Sequence, residues 1–143
     1  MIYSNEEIEL FNLDDLRKGD IWVILSPKTT IKHYVLYIGD CLIIHNKTNH
    51  NWNWFDDGVT LDKVCNLDKY YENRDKLKKK YYVRRYLGTD EQFHEILKRA
   101  WAMLGQKEFS YLFNNCEHFI NTVTLGISES KQVQDYTLNI LKG

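Results

Sequence analysis

Cys116 follows Asn114 and Asn115 where residues 116 to 124 take on helical spacing. Asparagine is a favoured N-cap residue. The unpaired N–H groups and the dipole at a helix start stabilise negative charge. Thiolate is the nucleophilic form of cysteine, and such a position lowers its pKa. The same N–H groups suit a developing oxyanion. A small buried apolar residue is the other ordinary fate of a free cysteine, and position alone leaves the two readings level. A nucleophilic cysteine also needs a base, and the base needs an orienter. His33 and His45 are the candidates: His33 to take the thiol proton through one ring nitrogen, His45 to hold the other. A histidine in that third place orients the ring but shares its charge less strongly than a carboxylate. Taken one at a time, each histidine reads first as a hydrogen-bonded sheet residue.

The elements that must position these residues follow from periodicity. Ile21–Leu25 reads as a strand opened by Gly19-Asp20. Residues 33–39 and 41–45 read as two strands around a Gly39-Asp40 turn, a hairpin. Alternation puts His33, Val35 and Tyr37 on one face of the first, and Cys41, Ile43 and His45 on one face of the second. Pairing about the turn can then bring positions 33 and 45 together. Ser4 with Glu7 forms a capping-box pattern, which predicts a short N-terminal helix carrying Ile8, Phe11 and Leu16. Residues 46–58 read as a long polar loop, and 59–80 show no clear period. The four lysines at 76–80 mark a solvated stretch. Tyr81–Tyr86 reads as a strand. Thr89 with Gln92 is a second capping box, and Phe93, Ile96, Leu97, Ala100, Trp101 and Leu104 keep helical spacing up to Gly105. Further helices are expected over 116–124 and 129–141. Strands followed by helices, without regular βαβ alternation, indicate an α+β domain with an antiparallel sheet packed with helices.

Composition narrows the function classes. The chain has 143 residues, enough for one domain with a buried core. Lys plus Arg is 19 and Asp plus Glu 20, giving a net charge of −1, which argues against holding nucleic acid by bulk charge. An aromatic fraction of 14% excludes a disordered chain. The 3 cysteines have no paired spacing, so no disulfide framework is expected, and Cys41 and Cys65 read as ordinary buried residues. Neither a signal peptide nor an apolar run near the ~20 residues of a membrane span is present. The expected location is cytoplasmic or peripheral to membranes.

His33-Tyr34-Val35-Leu36-Tyr37-Ile38-Gly39-Asp40, followed by Ile43-Ile44-His45, resembles the H-box of the lecithin:retinol acyltransferase-like family. Asn115-Cys116-Glu117-His118-Phe119 resembles that family's NCEHF box. Gly19-Asp20, Gly105-Gln106, Gly126 and Gln132-Val133 continue the likeness, which spans roughly residues 17–135 within a single domain of 1–143. Three ordered motifs are far more specific than one box. The resemblance implies a circularly permuted papain-like fold of the NlpC/P60 superfamily, with His33 as base, His45 as orienter and Cys116 as nucleophile. It implies a thiol-dependent acyltransferase or phospholipase A-type hydrolase. Such an enzyme takes a fatty acyl group from a glycerophospholipid onto the cysteine as a thioester and passes it to water, a lysophospholipid, an amine or an alcohol. No cofactor and no metal is implied. The expected partner is a phospholipid or other acyl donor, with weak peripheral membrane contact and no nucleic acid.

Other readings remain at this level. Small picornaviral nonstructural proteins share an H-box/NC pattern and act in replication without established catalysis. Bacterial relatives are cysteine peptidases or amidases. A zinc site from His33, His45 and Cys116 would have three ligands and no CxxC. Vertebrate relatives commonly end in a hydrophobic anchoring segment, and none is seen here. Trp52, Trp54 and Phe55 read either as a membrane-touching loop or as a loop folded onto the core.

Overall fold

The computed structural model describes residues 2–27, 32–47, 58–64, 67–106 and 119–124. Six strands form one antiparallel sheet: β1 (Ile8–Glu9), β2 (Ile21–Leu25), β3 (Lys32–Gly39), β4 (Leu42–Lys47), β5 (Gly58–Lys63) and β6 (Lys80–Arg84). Their order across the sheet is β1-β6-β2-β3-β4-β5. Two helices are complete among the described residues, α1 (Leu67–Lys76) and α2 (Asp90–Met103), and residues 119–124 are helical. This is the α+β arrangement with an antiparallel sheet that the sequence predicts.

Strict alternation along the strands builds two cores, one on each face. Ile21, Val23, Leu36, Ile44 and Val59 meet Ile96 and Ala100 of α2 and Phe119, Ile120 and Val123 of the 119–124 segment. Trp22, Val35, Ile43, Tyr81 and Val83 meet Leu10, Leu13 and Leu16 of the N-terminal segment, with Tyr70 and Tyr71 of α1 alongside. Trp22 is gripped edge-on by Tyr70 and Tyr81, at ring-centroid distances of 5.9 and 5.0 Å.

The β3–β4 hairpin turns tightly because Asp40 and Cys41 adopt positive φ, 53° and 61°, the backbone that two-residue hairpin turns require. Cys41 is therefore an exposed turn residue, not a buried strand residue. The register slips between Tyr37 and Gly39, a bulge at the hairpin end away from the histidines.

Two further expectations need correction. No α-helix forms over the N-terminal segment, only one turn of 3-10 helix at Leu13–Asp15 capped by Asn12. Ser4 Oγ instead accepts from Glu6 N within a local turn, the competing use of a serine hydroxyl. Ile8 and Glu9 pair with β6, leaving Ile8 and Phe11 exposed. On α2, the Thr89/Gln92 capping box forms in both directions, but Trp101 is substantially exposed rather than part of the apolar face.

Asp20 joins the start of β2 to the end of β6. It is 1% exposed. Its carboxylate accepts from the backbone N–H groups of Arg17 (2.8 Å) and Tyr86 (2.9 Å) and from the Arg85 guanidinium. A buried carboxylate is tolerated only when paired and hydrogen-bonded, and this one has both.

Candidate functional site

His33 stands one residue inside β3, opposite Ile24 of β2. His45 lies on β4, opposite Val35 of β3 and Thr60 of β5. Because opposed residues share a face and every second residue returns to it, His33, His45, Thr60 and Asp62 all project from the face that carries Trp22, Val35 and Ile43. His33 is thus the diagonal neighbour of His45, and Asp62 is its diagonal neighbour on the other side.

The three side chains form a continuous chain of hydrogen bonds. His33 Nε2 lies 2.8 Å from His45 Nδ1, and His45 Nε2 lies 2.6 Å from Asp62 Oδ2. The two rings meet edge-to-face, 71° apart. The His45 side chain is 11% exposed and that of Asp62 37%, so the chain runs from the interior to the rim of the sheet.

Burial is the main influence on His33, and it pushes the ring pKa down to about 3, with neighbouring His45 and Lys79 acting in the same direction. Lys79 comes from the connection between α1 and β6, whose following residue, Lys80, pairs with Leu25. His33 is therefore neutral at neutral pH, the form able to accept a proton.

Positions 33 and 45 do come together on one face, as expected from pairing about the Gly39-Asp40 turn, but as diagonal neighbours, because His45 opposes Val35. Asp62 was not foreseen. Val59-Thr60-Leu61-Asp62 alternates apolar with polar residues, but four positions are too few to stand out from the ambiguous 59–80 stretch. Nothing in the sequence says that this strand lies against β4. Cys116, Cys65, the Trp52-Trp54-Phe55 stretch and the expected 129–141 helix lie outside the described residues. Three residues beyond Cys116, Phe119 enters the core on the sheet face opposite the histidines.

Residues 14–129 match the lecithin retinol acyltransferase family. The chain is similar to phospholipase A and acyltransferase 3 of Mus musculus, with 28% identity covering 83% of this chain and 76% of that protein. It is similar to the Homo sapiens protein of the same name at 27% identity, with the same coverage. Similarity to the lecithin retinol acyltransferase of Bos taurus is 23%, covering 92% of this chain but only 64% of the bovine protein.

Proposed function

The chain belongs to the lecithin retinol acyltransferase family, and from that footing we propose that it is an acyl-transferring enzyme. In this reading Cys116 takes a fatty acyl group from a glycerophospholipid and passes it to water or to an amine or hydroxyl acceptor. The observation that supports it most is the His33–His45 hydrogen bond of 2.8 Å. It holds a buried, neutral imidazole in one orientation, as a general base needs. The names of the relatives, phospholipase A and acyltransferase among them, supply the substrate class.

The steps balance as follows. The Cys116 thiol gives its proton to His33 as sulfur attacks the acyl ester carbonyl. The tetrahedral oxyanion collapses, the C–O bond to the lysophospholipid breaks, and His33 returns the proton to that leaving oxygen. The thioester is then attacked by water or another acceptor, which gives a proton to His33. Collapse expels the Cys116 sulfur, which takes the proton back. His45 holds the His33 ring throughout. No cofactor or metal takes part, and the domain acts as a single papain-like unit. Phe119 packs on the sheet face away from the histidines, and three residues span about 10 Å at most. The reading therefore requires Cys116 to meet His33 past the end of the sheet, where β3 begins.

Fatty acid release from phospholipid vesicles tests this reading. The expected result is release by the unaltered chain and none by Cys116→Ser. Release of amine from peptide substrates, with phospholipid untouched, would instead make the chain a peptidase or amidase. Turnover of neither would favour a non-catalytic role of the picornaviral kind.

A further inference from the structure

The orienter His45 is itself held. Its Nε2 meets the Asp62 carboxylate at 2.6 Å, while its Nδ1 meets His33 Nε2 at 2.8 Å. A carboxylate only accepts hydrogen bonds, so the proton between His45 and Asp62 sits on His45 Nε2. A neutral imidazole carries one N–H, so His45 Nδ1 then presents a lone pair. Only a donor satisfies that lone pair at 2.8 Å, and the donor is His33 Nε2–H. His33, carrying its one proton on Nε2, has its basic lone pair on Nδ1.

We propose that Asp62 is a positioning residue for the reaction at His33, its carboxylate setting the tautomer of His45 and, through it, placing the basic lone pair of His33 on Nδ1. This rests on the acyl-transfer reading for its catalytic consequence, but the tautomers follow from the geometry of two neutral rings. Without the carboxylate, His45 can turn its proton onto Nδ1 and donate to His33 Nε2. That moves the His33 proton to Nδ1 and blocks the base. Asp62 also supplies what a histidine in the orienting place lacks. When His33 takes the thiol proton, the new positive charge connects through His45 to a negative one. The requirement is specific to this arrangement: β5 must present a carboxylate at the position diagonal to His45, two residues along from Thr60, which is its direct partner.

Two measurements on the full chain test this. Ring 15N shifts in two-bond 1H–15N spectra at neutral pH report each histidine's tautomer, and phospholipid hydrolysis reports the catalytic consequence. With tautomers read in a Cys116→Ser background, where no thiolate can add a proton to His33, the expected result is Nε2–H on both rings while Asp62 is in place. In Asp62→Asn, whose amide can donate to His45 Nε2, both rings should shift toward Nδ1–H, with kcat falling about 10- to 100-fold, less than for loss of a carboxylate held directly on the base. Asp62→Glu should restore the Nε2–H forms and most of the rate. Unchanged tautomers in a folded Asp62→Asn chain would overturn the proposal. So would a tautomer shift with undiminished turnover. If the tautomers behave as expected but the unaltered chain hydrolyses no phospholipid, the relay stands and the acyl-transfer reading falls.

Discussion

His33 is the residue on which the acid behaviour of the site turns. In the unfolded chain it takes up a proton near pH 6.5, whereas in the fold burial holds its pKa at about 3. Between those values the unfolded state binds more protons, so stability is full above pH 6.5 and declines as the pH falls toward 3. One proton corresponds to a slope of up to about 1.4 kcal/mol per pH unit. In a Cys116→Ser background, where no thiolate can hold a proton on the ring, His33→Gln should therefore lose less stability between pH 6 and pH 4 than its His33 parent. Urea midpoints across that range check it, and parallel decline of the two chains would contradict the burial argument. For turnover, His33→Ala should cost about 100- to 10,000-fold, as loss of a general base does. His45→Gln should retain more, because an amide still orients the ring. Cys41 gives an internal control for the thiol. It is exposed at the hairpin turn, so faster alkylation of Cys116 near neutral pH would reflect thiolate character rather than access. Equal labelling of the two on brief iodoacetamide treatment would remove the case for an activated nucleophile.

The elements hold these residues in register through a few buried polar locks. Asp20→Ala would remove the carboxylate from the Arg85 guanidinium, leaving it the Asp15 carbonyl, and leave the Arg17 and Tyr86 N–H groups without their acceptor. Breaking such a buried pair costs about 3 kcal/mol or more, and chemical denaturation should show a loss of that size. Thr89→Ala should cost about 1 kcal/mol by removing the cap of α2. Gly19 adopts φ +95°, and a Cβ there would come within 2.7 Å of the Tyr86 ring. Gly19→Ala is thus expected to destabilise by more than the cap does. Elements marked by their own residues were legible in sequence: the β2–β3–β4 run, the Thr89 box and the Gly105 stop. Two failures share a cause. The Ser4/Glu7 pattern suggested a helix, yet Ile8 pairs with Val83, a partner 75 positions away that local periodicity cannot reveal. Asp62 escaped for the same reason. Its short strand was lost in the ambiguous 59–80 stretch, and that it lies beside His45 depends on β5 joining the sheet edge at β4. The His33–His45 contact was legible only in part: the turn and the alternation brought the two strands together, but it is the bulge between Tyr37 and Gly39 that sets His45 opposite Val35 and so on the face of His33.

At the scale of the whole molecule, the acyl donor of the proposed reaction sits in a bilayer. Among the described residues no helix is long and apolar enough to cross one. Lys76, Lys78 and Lys80 are exposed on the turn that carries Lys79 toward His33. Basic residues near an anionic surface contribute on the order of 1 kcal/mol each and are screened by salt. Weak binding to anionic vesicles, lost in high salt and reduced when these lysines are replaced by Gln, is the expected co-sedimentation result. Binding to zwitterionic vesicles of equal strength would contradict it. The central claim concerns a covalent bond, and intact mass spectrometry tests it most directly. After brief incubation with phospholipid micelles and acid quenching, the account predicts a fraction of the chain heavier by one fatty acyl group, mapped to Cys116, removed by hydroxylamine and absent from Cys116→Ser. Phospholipid hydrolysed with no such adduct on Cys116, and with Cys116→Ser still active, would contradict it.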